Sequence, residues 1–196
     1  MPYDSTATRA RLLEAGYEEF VRFGLAGARV DRIAREASAN KQAIYLYFGS
    51  KEALFEAVLA DRLRVLADVA PFEADDLPGY AGALFDALVA DPGIQRLSLW
   101  KTLEIPDASD GEVEAHVSKA TELAERSGIS VTSATDVLMI IFAAALSWNT
   151  TPEQIRNPLG GDRDQRLVDH RATVVKAVAA ITSAFLDSSD RTQDVL

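Results

Sequence analysis

Lys41, Gln42, Ala43, Tyr45, Tyr47 and Lys51 fall within one short stretch, KQAIYLYFGSK. Their types suit a surface that meets an anionic, hydrogen-bonding polymer. The amide of Gln42 can pair bidentately with an adenine edge, while Ala43 can only touch a thymine methyl or a sugar. Lys41 can reach either a guanine or the backbone. A phenol at Tyr47 can donate to a phosphate oxygen, which fixes register without reading sequence. Tyr45 can do the same, or it can be a core tyrosine with its hydroxyl at the rim. Lys51 stands in the first turn of a helix, where a cation opposes the helix dipole. A phosphate beside the free N–H groups reverses that cost. For Lys51 the alternative is an ordinary solvated lysine.

Such side chains need a rigid support. Val30, Ile33, Ala34 and Ala37 recur at i, i+3, i+4 and i+7, so they mark one apolar stripe of a helix. Ser38-Ala39-Asn40 breaks the pattern, and Asn40 fits as the N-cap of a second helix, KQAIYLYF. Ile44 and Phe48 are four apart and point inward, which leaves Lys41, Gln42, Ala43 and Tyr47 outward. A helix this short persists only if packing holds it. Two helices joined by a three-residue turn, the second presenting donors outward, make a helix-turn-helix of the kind that enters a DNA major groove.

Residues 8–63 resemble the DNA-binding domain of the TetR (tetracycline-repressor-like) family. The matching segments are RARLLEAGYEEFVRFGLAGA, VDRIAREA and KQAIYLYFGSKEALFEAV. In the last of these, Tyr45, Tyr47, Phe48, Gly49, Ser50, Lys51 and Glu52 follow the family's run of aromatics, a small pair, Lys and an acid. The resemblance implies an all-α fold, with a helix-turn-helix domain over residues 5–65 and a helical ligand-binding and dimerisation domain over 66–196. It also implies a regulator without a cofactor, whose partners are a double-stranded DNA operator, a second copy of itself and a small-molecule effector. Two positions depart from the pattern. Arg29 stands where Thr or Ser is usual, which costs the first helix of the motif a good N-cap and puts a guanidinium near the phosphate path. Leu46 stands where polar or aromatic residues are common, which narrows the possible base contacts.

Composition bounds the alternatives. The chain has 196 residues and no Cys, which excludes disulfides, thiolate metal sites and Cys nucleophiles. His116 and His170 are far apart in sequence and are expected on the surface, so neither a metal site nor a carboxylate–His catalytic constellation is expected. The net charge of −10 is uneven. Residues 1–64 carry ten Lys/Arg against nine Asp/Glu, while 65–196 carry ten against twenty-one. The acidic surplus therefore lies outside the proposed reading head, an asymmetry that can orient a protein on a polyanion. The stretch MPYDSTATRAR lacks the apolar segment of a secretory signal. The longest apolar run, Val137 to Leu146, is too short to span a bilayer. A cytoplasmic protein is the expectation.

Helical signals continue along the chain, and no stretch alternates with period two. Helices are expected over 6–23 (ended by Gly24), from 51 to before Pro71 (capped by Ser50), and over 79–90, 94–105, 112–126 and 166–186. Another is expected over 132–148, capped by Thr132 or Ser133, with a single turn at 152–156 and disorder in the last eight residues. The run Val137–Leu146 is apolar all round and needs cover on every side. With the stripe on the last helix it predicts an intermolecular four-helix bundle in which Val137, Ile141, Ala145, Val174, Val178, Ile181 and Phe185 meet a second copy. The same periodicity also suits the chain's own core. Tyr80, Phe85, Trp100, Leu103, Met139, Phe142 and Trp148 can line an apolar pocket, although aromatics at helical spacing are more often core. A DNA-binding scaffold answering to a protein partner is the other function consistent with these residues.

Overall fold

A computed structural model describes residues 5–189, with side chains through 185. Apart from Ser189, the disorder expected for the last eight residues falls outside the described range. The described residues form ten α-helices and no strand, and they divide into two compact units.

The first unit comprises the chain through Val65 together with Pro92–Asp107. It holds α1 (Ser5–Gly27), α2 (Val30–Glu36), α3 (Lys41–Phe48), most of α4 (Lys51–Val69) and α6 (Pro92–Glu104). Its core is built from the expected stripes: Leu12, Phe20, Ile33, Ile44, Leu54, Phe55 and Val58 are all fully buried. Phe20 and Phe55 meet edge to face with ring centroids 5.0 Å apart. Gly24, with φ of +67°, kinks α1 where the sequence ends the helix, and one further turn runs on to Gly27. The Gly24 kink admits α6, because a Cβ at Gly24 would sit 2.9 Å from the Trp100 ring. Leu97 of α6 is fully buried in the same core. The first unit takes in residues 92–107 as well as the chain through Val65, so the second unit is two segments, Leu66–Asp91 and the chain from Ala108 onward, where the sequence suggested one continuous 66–196 segment.

The second unit comprises Leu66–Asp91 and the chain from Ala108 onward. It holds α5 (Leu77–Ala90), α7 (Asp110–Ser127), α8 (Val131–Thr150), α9 (Glu153–Arg156) and α10 (Arg163–Ser189). Side chains cap the starts of α5, α7 and α8. Asp76 accepts the Gly79 N–H at 2.8 Å. Ser109 and Glu112 form a capping box on α7, which Gly128 ends in the left-handed conformation. Ser130, not Thr132 or Ser133, caps α8 by accepting the Ser133 N–H at 3.0 Å. Helix α8 packs against α5, α7 and α10. By length and composition it could cross a bilayer, contrary to the estimate from its ten-residue run: its most apolar window has a mean hydropathy of 1.6, with 33% of it buried. In this fold one side of it packs on those three helices, while Val131, Met139 and Ile140 stay exposed. Val137, Ile141, Ala145, Val174 and Val178 are each at most 4% exposed within the chain's own unit. They are therefore core rather than interface. Of the expected dimer set, only Ile181 (half-buried) and Phe185 (exposed) reach the surface.

Candidate nucleic-acid interface

Helix α3 is placed by backbone chemistry at both ends. The turn before it closes through Ala37 N–H to Ile33 O and Ala39 N–H to Ala34 O, both at 2.9 Å, with Ser38 at φ of +49°. Asn40 then caps α3 as expected, its Oδ1 accepting the Gln42 N–H at 2.6 Å. Gly49, at φ of +84°, ends α3, and Ser50 Oγ accepts the Ala53 N–H at 3.0 Å to start α4.

This pins the rotation of α3. Lys41, Gln42, Tyr45 and Leu46 face outward, with Tyr45 46% and Leu46 81% exposed. Ala43 and Ile44 are buried, and Tyr47 and Phe48 are half-buried against the core. Two expectations change. Ala43 is inside and offers no methyl to a base. Tyr47 sits at the rim rather than on the polar face. A helix turns about 100° per residue, so the inward stripe runs 43, 44, 47, 48 and the outward one 41, 42, 45, 46. Centring the stripe on the Ile44–Phe48 pair alone misplaces Ala43 and leaves Leu46 out of the outward set. Lys41 pairs with Asp31 at 2.9 Å, and that carboxylate, by hydrogen bond first and then by charge, holds the ammonium pKa above its ordinary value.

Lys51 has a different first task from the one its sequence position suggested. Its Nζ donates to Leu25 O at 2.7 Å and to Ala28 O at 3.4 Å, tying the start of α4 to the α1–α2 link. One of its three N–H groups is left for a phosphate. Arg29 gives α2 no side-chain cap. Its side chain is exposed, and its backbone N–H is taken by Glu19 Oε1 at 2.8 Å.

Glu19 is absent from the residues that the sequence singles out. Only 8% exposed, it also accepts from Arg32 Nε at 2.8 Å and pairs with the rest of that guanidinium at 2.5 Å. Arg32 in turn donates to Gly27 O at 3.0 Å and stacks 4.3 Å over Phe23. The Glu19 hydrogen bond raises the Arg32 pKa, opposed by desolvation. One signal was available: a carboxylate one residue before the core position Phe20, in a helix with a strong apolar stripe.

In the second unit, a half-open groove of about 360 Å³ runs along α8, lined by Thr135, Leu138, Met139, Phe142, Ala143 and Leu146 and bordered by His116 of α7. Of the seven expected pocket residues, only Met139 and Phe142 line it. Tyr80, Phe85 and Trp148 are core residues at 4% exposure or less. Trp100 and Leu103 belong to the first unit, the former against Gly24 and the latter 73% exposed. His170 is not a surface histidine. It lies 5.8 Å from the Phe85 ring and 5.4 Å from Trp148, with Nε2 2.8 Å from Ser147 Oγ. No cluster of three His, Cys, Asp or Glu suited to a metal occurs among the described residues.

Comparison with known proteins decides the family. Residues 12–58 match the family model of bacterial regulatory proteins, tetR family, and residues 76–179 match the tetracyclin repressor-like C-terminal domain. The chain belongs to the TetR family. It is 36% identical over 185 residues to the HTH-type transcriptional repressor SCO4008 of Streptomyces coelicolor, spanning 91% of this chain and 96% of that one. The crystal structure of the transcriptional regulator SCO4942, also from Streptomyces coelicolor, superimposes with a TM-score of 0.75 at 37% identity, covering 89% of this chain and 97% of the other. A regulator from Pseudomonas aeruginosa PAO1 shares the fold at 22% identity and a TM-score of 0.64, over 94% and 92% of the two chains. This TetR-family chain is accordingly a DNA-binding transcriptional regulator, all-α in fold, with its helix-turn-helix at α2–α3.

Proposed function

We propose that two copies of this chain bind a palindromic operator as a cytoplasmic repressor and leave it when a small molecule occupies the second unit. The observation that carries the DNA part is the outward stripe of α3. Gln42 supplies a side-chain amide for a base edge, and the exposed Leu46 supplies the apolar contact for a thymine methyl that buried Ala43 cannot make. Lys41, Tyr45, Arg29 and the remaining N–H of Lys51 then serve the phosphates.

Pairing of two chains is supported by apolar surface left over in the second unit. Ile140 and Ala144 share one face of α8, while Ala177, Ile181, Ala184 and Phe185 recur along α10, and none of the six is fully buried. Small residues let helices approach closely, so these positions, one step round from the buried ones, suit an isologous four-helix contact. Two heads then meet successive major grooves roughly 34–36 Å apart. An effector changes DNA affinity only by binding the competent and incompetent arrangements unequally. The test is fluorescence anisotropy with a palindrome from the upstream region of the gene. Support consists of one dimer per site and a steep loss of affinity with salt. Monomeric binding, or binding indifferent to sequence, removes the proposal.

A further inference from the structure

Lys119 is the one cation of α7 that the fold half-buries. Among the described residues no carboxylate lies within ion-pair distance of it. Its Nζ donates to Tyr80 Oη at 3.2 Å and lies 6.0, 5.7 and 5.8 Å from the ring centroids of Phe72, Tyr80 and Phe142. Three ring faces attract an ammonium but do not neutralise it. Burial without a counter-charge pushes the Lys119 pKa down, and the same desolvation pushes Tyr80 up to about 12. Tyr80 Oη uses one of the three N–H donors and leaves two.

One turn earlier on the same face of α7 stands His116, its ring 5.9 Å from that of Phe142. His116 Nδ1 is 2.8 Å from Glu112 O, so a proton on Nδ1 is held there and Nε2 is the free ring nitrogen. Phe142 thus has His116 and Lys119 within a ring's width of it and is itself a wall of the α7–α8 groove. The remaining walls are apolar except for Thr135, whose hydroxyl is spent on Val131 O at 2.9 Å. No Asp or Glu lines the groove.

We propose that this groove binds an amphipathic organic monoacid, its apolar body lying on Leu138, Met139, Phe142 and Leu146 and its carboxylate lying beside His116 and reaching past Phe142 to Lys119. The inference deepens the effector reading above and rests on it for regulatory meaning. Charge complementarity selects the ligand class. A cationic ligand finds no acid among the lining residues and the Lys119 ammonium beyond Phe142, and a neutral one leaves that ammonium without a counter-charge. The volume suits a small drug-sized body.

The experiment is calorimetric titration of the protein at pH 6.5 with three probes that share a phenylbutyl skeleton: 4-phenylbutyrate, its near-isosteric amide 4-phenylbutanamide, and 4-phenylbutylamine. Operator release by each is followed separately by anisotropy. The acid is expected to bind roughly ten- to hundredfold more tightly than the amide, the increment of a charge-assisted pair, with the amine weaker still. Lys119→Met abolishes that preference and Lys119→Arg keeps most of it, with both variants checked for helicity. Equal binding of acid and amide overturns the proposal, as does the absence of acid binding, or a preference that survives Lys119→Met. If Met139→Asp yields a monomer while the wild type ignores all three probes, the groove is an interface between copies and the proposal falls. Acid binding without operator release leaves the site standing and removes the effector reading.

Discussion

Replacing Glu19 probes how the reading head is held. Glu19 Oε1 accepts from the Arg29 backbone and, at 2.8 Å, from Arg32 Nε, while Oε2 adds a 3.0 Å contact to the same nitrogen. Glu19→Gln keeps the shape and one acceptor oxygen but loses the charge. The difference between a charged and a neutral hydrogen bond makes this a loss of about 1 kcal/mol. Glu19→Ala removes every acceptor. The Arg29 N–H contributes about 1 kcal/mol and the ion pair about 1–2 more. The total of about 2–3 kcal/mol is less than for a fully buried pair, because Arg32 is 29% exposed and can rehydrate. Urea denaturation gives both values if hydrogen exchange at the α2 amides reports the first unit by itself, since two units need not unfold in one step. A double-mutant cycle with Arg32→Met should show coupling of about 1 kcal/mol. Zero coupling, or a Gln variant as damaged as the Ala variant, would refute the assignment of Glu19 as the charge that fixes the α1–α2 link.

Asn40→Ala should cost about 1 kcal/mol by removing the acceptor at the start of α3, with Asn40→Asp near neutral; α3 amide exchange measures this, and equal protection in both variants would contradict the cap. Ala43→Leu should overpack the head by about 1–3 kcal/mol, lowering its denaturation midpoint before any change in sequence preference; a stable, re-targeted variant would put Ala43 back on the DNA face. Leu46→Lys should leave stability within about 0.5 kcal/mol while erasing preference for thymine at one position per half-site in a binding-site selection. Burial, and after it the charge of Arg166, lowers the His170 pKa below 6.5. Between that depressed value and 6.5 the unfolded chain holds the extra proton, so stability falls as pH drops through this window. His170→Gln should flatten the fall in melting temperature below pH 6.5, and an unchanged slope would exclude His170 as its source.

Local pattern carried much of this structure. The α3 boundaries, the Asn40 and Ser50 caps and the break at Gly24 follow from residue types within a few positions of each other, so the sequence displayed them directly. What depended on distant neighbours stayed hidden. Residues 92–107 read as the next helix of a second domain, because nothing near them shows that Trp100 fills the space a side chain at Gly24 would occupy. Val137 and Val174 have the periodicity of a buried face, but periodicity does not say whether the cover is the same chain or another. Nothing in the sequence around Lys119 sets it apart, because what makes it unusual is the convergence of Phe72, Tyr80 and Phe142 from distant positions.

Selection of DNA sites from a random pool, by wild type and by Gln42→Ala, tests most directly that the outer stripe of α3 reads sequence. The wild type should enrich an inverted repeat with half-site centres about one helical turn apart. Gln42→Ala should relax the same position in both halves, losing about 1–3 kcal/mol of discrimination at each. An enriched motif without inverted symmetry, or one that Gln42→Ala leaves intact while Leu46→Lys does too, would contradict it.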